Sequence, residues 1–149
     1  MKVTPELIKE YLGIGGISDS TLSELASFCE IKVFEANDII DREYEESTHL
    51  FIVLSGQIDV QYMTSGGKRE TFDSCVKGDI LMWSALVQPY KSNSIDICRA
   101  HAELLAFDAV KLRTLCDNDP HFGYQLMSLI ARVIRRRLQV TRKEIIDLR

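Results

Sequence analysis

The sequence predicts a mainly β, α+β fold: an antiparallel β-roll or jelly roll, preceded by short helices and followed by a long C-terminal one. Three observations carry this. Between Ile31 and Phe107 the chain breaks into short runs rich in β-branched and aromatic residues, separated by turn chemistry. Two capped amphipathic segments stand ahead of those runs. Behind them, neither proline nor glycine occurs from Gln125 onward.

Thr4-Pro5-Glu6 starts the first helix with a hydroxyl at the N-cap and proline at the first helical position. Gly13, Gly15 and Gly16 end it. Ser18-Asp19 caps a second helix, with Leu22, Leu25, Ala26 and Cys29 at helical spacing. The runs IKVF, DIID, HLFIVLSG, QIDVQYM, RETFDSC, DILMW and IDICRAHAELLAF then read as strands. Ser65-Gly66-Gly67-Lys68 is the clearest turn, because paired glycines accept the positive φ angles of a tight hairpin. Many short strands at regular spacing favour a sandwich or closed roll over a parallel sheet. Helix resumes at Asp108, carrying Val110, Leu112 and Leu115, and Asp119-Pro120 starts another. Residues 120–149 would extend about 45 Å at 1.5 Å per residue.

The 149 residues, 46% hydrophobic and 27% charged, amount to one domain. Its expected division is a helical lead-in (1–30), the β-roll (31–107) and C-terminal helices (108–149). No apolar stretch is long enough to span a bilayer, and MKVTPELIKEYLG is too acidic for a signal peptide. The expected compartment is the cytoplasm. Cys29, Cys75, Cys98 and Cys116 are scattered, without C-x-x-C spacing, and read as reduced and mostly buried thiols. A net charge of −4 argues against general nucleic-acid binding. Charge is nonetheless uneven: residues 38–46 are acidic and residues 132–143 strongly basic.

Residues 78–100, GDILMWSALVQPYKSNSIDICRA, open on Gly-Asp, pass through an apolar segment and a polar loop, and close on Arg-Ala. That frame resembles the phosphate-binding cassette of the cyclic nucleotide-binding domain, in the superfamily of the catabolite activator and the fumarate–nitrate regulator. VFEANDIIDREYEESTHLFIVLSGQIDV is similar to the first half of that family's β-roll, with Gly56 and Gly78-Asp79 at its turn positions. RRRLQVT (135–141) resembles the start of its dimerisation helix. The Trp83-Ser84 pair followed by Pro89-Tyr90-Lys91 looks like a subgroup of small bacterial stand-alone members without a helix-turn-helix. The resemblance covers essentially the whole chain.

It implies a ligand site that this sequence alters. The family's Gly-Glu is replaced by Met82-Trp83, and Ser94-Ile95 stands near the position of its phosphate-gripping arginine. Asn37 and Tyr44 replace glycines common in the first half of the roll. The candidate cassette is Met82, Trp83, Ser84, Ala85, Lys91, Ser92, Ser94, Arg99 and Thr141. Trp83 accepts no hydrogen bond. Its indole either stacks in the ribose space or plugs the roll together with Met82. Lys91 and Arg99 are the candidate cations, lysine as a point charge rather than a fork. Thr141 matches a threonine that touches the base in the family, or is a small polar residue in a helix seam. No cofactor is certain; a cyclic nucleotide or another small anion is the candidate ligand.

Leu126, Ile130, Ile134, Leu138, Thr141, Ile145 and Leu148 are spaced by threes and fours, and from Ile134 they form a heptad seam. Phe122, Leu129 and Val133 make a second stripe for the roll. Two apolar faces imply two partners, so the expected assembly is a parallel homodimer along Ile134, Leu138, Thr141, Ile145 and Leu148. The alternative is a helix folded back on its own domain. The run Arg135-Arg136-Arg137 reads as the seam's solvated flank or as a surface for an acidic protein partner. The chain ends at Arg149 without a helix-turn-helix, so no direct DNA binding is expected.

Metal chemistry of the cupin type needs clustered histidines, and His49, His101 and His121 are dispersed. No G-x-S-x-G, P-loop or dinucleotide fingerprint occurs. The expected function is non-enzymatic: a regulatory or sensory module signalling through a dimerisation helix. The alternatives are a structural interaction domain with a sealed pocket, and the effector domain of a transcription regulator.

Overall fold

The computed structural model describes residues 2–148. Two helices lead in, α1 (Pro5–Leu12) and α2 (Asp19–Ser27). Eight strands follow: β1 (Cys29–Phe34), β2 (Ile39–Asp41), β3 (His49–Ser55), β4 (Ile58–Met63), β5 (Arg69–Cys75), β6 (Ile80–Leu81), β7 (Ile95–Cys98) and β8 (Ala102–Asp108). The chain then forms α3 (Ala109–Asn118) and the 28-residue α4 (Pro120–Asp147).

The helix starts follow the predicted caps. Thr4 accepts from the Leu7 N–H, Ser18 from Thr21, Asp108 from Lys111 and Asp119 from Phe122, each satisfying a donor that the first turn leaves free. Asp119 also accepts from the Thr21 hydroxyl at 2.6 Å, which ties the start of α4 to α2. One boundary differs from the sequence reading. Ser27 Oγ bonds back to the Glu24 carbonyl at 2.6 Å, and the Phe28 N–H caps the Leu25 and Ala26 carbonyls. The second helix therefore closes before Cys29, which instead pairs with Phe107 at the start of β1.

The strands form two four-stranded antiparallel sheets, ordered β1-β8-β3-β6 and β2-β7-β4-β5. The central strands of the first, β3 and β8, are buried on both faces, which is why they read as continuous apolar runs. Leu50, Ile52, Leu105 and Phe107 face the helices, packing with Ile8, Leu25, Leu112, Phe122 and Leu126. Their alternates Phe51, Val53, Leu104 and Ala106 face the roll interior, packing with Ile58, Val60 and Met82. The β4–β5 hairpin closes as predicted, with the Thr64 N–H on the Lys68 carbonyl at 2.7 Å and Gly67 at φ +79°. Gly56 (φ +91°) is needed twice over: a Cβ there would lie 2.6 Å from the His101 carbonyl oxygen.

Two positions where the resemblance implies glycine keep a glycine-like backbone shape with other residues. Asn37 (φ 74°) and Tyr44 (φ 67°) both adopt the left-handed conformation. The run 95–107 is two strands, broken at Arg99–His101, with Arg99 N–H bonded to the Gln57 carbonyl at 2.9 Å.

Two features of α4 change the seam expectation. Leu126 and Ile130 are each 1% exposed and belong, with Phe122, to the helix-side core. Leu129, Val133 and Ile134 pack against that core as well. The two predicted stripes are thus one broad face on the chain's own domain as far as Ile134. Beyond it Leu138, Ile145 and Leu148 are 47%, 52% and 85% exposed.

Candidate functional site

The cassette begins where β6 ends. Met82 stands in the left-handed region (φ 64°) and starts a single 3-10 turn, Trp83–Ala85. That backbone reversal sends neighbouring side chains opposite ways. Met82, 7% exposed, enters the roll interior, whereas Trp83 packs on the helix-side core. Met82 is therefore the residue that plugs the roll, and Trp83 closes the cassette from the helix side.

The loop that follows is held by α3. Arg113 Nη1 donates to the Ala85 carbonyl at 2.6 Å, and its guanidinium stacks 3.9 Å above the Tyr90 ring. Nothing local in the sequence marks Arg113, since its partners lie more than 20 residues away.

Inside the cassette a set of small polar side chains is sealed from solvent. Ser47 and Ser84 share a hydrogen bond of 2.6 Å. Ser92 Oγ donates to the Ser94 carbonyl at 3.0 Å, and Ser94 Oγ donates to Asp96 Oδ1 at 3.0 Å. Asp96 and Asp41 are partners in the β2–β7 ladder, 2% and 4% exposed. Burial pushes the Asp96 carboxyl up to about 7; the Ser94 hydrogen bond opposes this, Asp41 adds to it, and Arg137 opposes it. Burial likewise raises Asp41 to about 6, opposed by the Arg42 backbone N–H and reinforced by Glu45. Asp41 Oδ2 is buried without a hydrogen-bond partner.

Arg137 closes the cassette from α4. Its side chain is 14% exposed, and its Nε lies 3.2 Å from Asp73 Oδ2. Arg136 reaches the same carboxylate at 3.2 Å but stays half exposed. The space left between Met82, Trp83, Ser84, Ser94, Asp96 and Arg137 is about 10 Å³. That is room for about one water molecule.

The other predicted site residues are dispersed. Ser84, Ser92 and Ser94 are within the sealed cluster, and Ala85 is fully buried. Lys91 is exposed, its backbone paired with that of Glu46 in an isolated antiparallel β-bridge, and it does not line the residual cavity. Arg99 pairs through Nε with Asp59 Oδ2 at 3.0 Å, so neither candidate cation faces the cassette. Thr141 Oγ1 donates to the Arg137 carbonyl at 2.9 Å, within its own helix. Sequence reasoning missed Asp41, Asp96 and Arg137. For Arg137 a signal existed: it continues the Phe122, Leu126, Leu129, Val133 spacing and so falls on the inward face. Among the described residues, no group of three or more His, Cys, Asp or Glu is placed to hold a metal ion, and no helix is long and apolar enough to cross a membrane.

A β-roll with a cassette after its sixth strand and a long helix across it is the architecture of a cyclic nucleotide-binding fold. The chain belongs to the cyclic nucleotide-binding domain family, whose profile matches residues 31–119. No curated protein matches it. Among solved structures it is similar to a putative cyclic nucleotide-binding protein from Geobacter metallireducens GS-15, at 25% identity, 91% coverage of this chain and 98% of that one, and a TM-score of 0.81. A cyclic nucleotide-binding domain from Methylobacillus flagellatus KT matches with a TM-score of 0.83 at 15% identity, over 97% of this chain and 84% of that one. The catabolite activator protein of Thermus thermophilus matches with a TM-score of 0.69 at 19% identity, over 90% of this chain and 61% of its own length.

Proposed function

We propose that this chain is a regulatory module of the cyclic nucleotide-binding fold whose cassette is closed from within, and whose output is the position of α4. The observation that carries the proposal is Asp96. A buried carboxylate stands two residues beyond Ser94, in the segment where the family resemblance places a phosphate-gripping arginine. A cyclic phosphate placed there would meet a buried acid where a guanidinium is needed and would gain no fork of donors. The remaining 10 Å³ also falls far below the roughly 300 Å³ or more of an ordinary ligand pocket. The cassette itself supplies an acid, and the cation at it, Arg137, comes from α4.

Thermal unfolding with a panel of cyclic mono- and dinucleotides tests this. A ligand at 100 times its dissociation constant adds about 2.7 kcal/mol, a shift of a few degrees for a chain of this size. The expected result is no shift with cyclic AMP or cyclic GMP at concentrations well above micromolar. A saturable shift with either would overturn the closed cassette.

The exposed end of α4 supports the second half of the proposal. Leu138, Ile145 and Leu148 lie on one face at heptad-like spacing and are largely uncovered by the chain's own core. A second copy of the chain would cover them, giving a parallel two-fold dimer. Leu138→Glu with Ile145→Glu is expected to halve the mass measured by light scattering. Both residues are exposed, so the fold is retained, and an unchanged mass would rule out the seam. The dimer reading predicts no loss of melting temperature beyond that caused by dissociation.

A further inference from the structure

A groove lies one helical turn along from the cassette, between α4 and the β5–β6 turn. Its volume is about 220 Å³. A cavity of roughly 150 Å³ accommodates one benzene ring, so this groove has space for a single ring or short chain carrying a polar head. Ile80, Leu129, Val133 and the buried Cys75 give it an apolar floor. Arg132, Arg136 and Arg137 stand over that floor. Burial pushes the Cys75 thiol up to about 12, so it is neutral and contributes surface rather than charge.

The arginines are not equally committed. Arg136 and Arg137 both hold Asp73. Asp79, the other carboxylate at the groove, accepts the Val76 N–H at 2.9 Å within its own turn. Arg132 is exposed and, among the described residues, has no ion-pair partner. Three guanidiniums face two carboxylates, which leaves one positive charge beside an apolar floor.

We infer that this groove is a binding site for a small organic anion, an aromatic or short aliphatic acid or phosphate ester, with Arg132 on the anionic head and Ile80, Leu129 and Val133 under the apolar body. Guanidinium forks bind carboxylate and phosphate in two-point fashion, and the apolar floor rewards a body that inorganic anions lack. The site is separate from the cassette, and its ligand would supply the effector that a closed cassette cannot admit. Groove residues and seam residues lie about 130° apart around α4 at 100° per residue, so a ligand here leaves the proposed dimer face free. An anion on Arg136 would also compete with Asp73, which links occupancy to how firmly α4 is docked.

The test uses phenyl phosphate as the probe, with inorganic phosphate and benzyl alcohol as its two halves, followed by calorimetry and by amide chemical shifts. Saturable binding of phenyl phosphate is expected at concentrations up to millimolar, with shifts at Ile80, Leu129 and Val133. Neither half should bind comparably. Arg132→Gln removes an exposed, unpaired charge and should keep the fold while weakening phenyl phosphate about tenfold. Absence of saturable binding, equal affinity in Arg132→Gln, or equally tight inorganic phosphate would each overturn the site. Cyclic AMP added to the same samples separates this inference from the closed cassette: shifts at Met82 to Ser94 would end the cassette reading while leaving the groove result intact.

Discussion

Replacing Asp96 with Asn is expected to stabilise the protein at pH 8 by as much as about 4 kcal/mol and to remove most of the fall in stability between pH 5 and pH 8. In the unfolded chain this carboxyl ionises near its ordinary 3.8, whereas in the fold burial moves it to about 7. Between those values the native chain holds a proton that the unfolded chain has released. The stability that Asp96 contributes is therefore greatest in acid and declines as pH rises through that window. A difference of 3.2 in pKa at 1.36 kcal/mol each sets the ceiling of about 4 kcal/mol. Asp41, raised to about 6, contributes a smaller decline of the same sign. The groups around Asp96 are Asp41 on β2, Ser94 before β7 and Arg137 on α4. An asparagine oxygen still accepts the Ser94 hydroxyl, so the substitution removes charge and keeps the hydrogen bond. Urea midpoints of both proteins at pH 5 and pH 8 measure the effect. A wild-type chain equally stable at both values, or more stable at pH 8, would show that Asp96 is not held as a buried acid.

The parts of this structure that were legible from sequence are those set by local chemistry. Thr4, Ser18, Asp108 and Asp119 announce four helix starts because a short polar side chain at the N-cap needs only the next turn as its partner. The paired glycines at 66 and 67 announce a hairpin for the same reason. The apolar, β-branched runs that became β3 and β8 announce strands in the same way. What resisted reading was set by distant partners. Hydrophobic alternation in Ile95-Asp96-Ile97-Cys98 would send Asp96 to solvent. In the fold Asp96 turns inward onto the buried serines of the cassette and Cys98 onto the apolar roll interior, while Ile97 is only half-buried. Arg99 looked like a cassette cation, but Asp59, 40 residues earlier, claims it. The boundary between the two apolar faces of α4 was also hidden. Spacing alone cannot say where the domain's own core stops, and in the fold it stops at Ile134.

The same limit applies to the basic run, and it leads to the second large effect. Arg135, Arg136 and Arg137 are identical in chemistry and differ only in which way α4 turns them. Arg137→Ala is expected to cost about 3 kcal/mol and to speed amide exchange in the second half of α4, because it strips one partner from a largely buried ion pair. Asp73, 13% exposed, would keep only Arg136, and Asp96 would lose the one cation that offsets its burial. Arg136→Ala removes a half-exposed member of the same network and should cost less than about 1 kcal/mol. The contrast between adjacent arginines is the informative quantity. Equal losses would mean that burial of Arg137 adds nothing and that α4 is held by its apolar face alone. Unequal losses would show that the buried pair of Arg137 with Asp73 helps hold α4 on the roll. Any ligand that repositions α4 must then supply, as a difference in affinity between two helix positions, at least part of the free energy that this one side chain contributes.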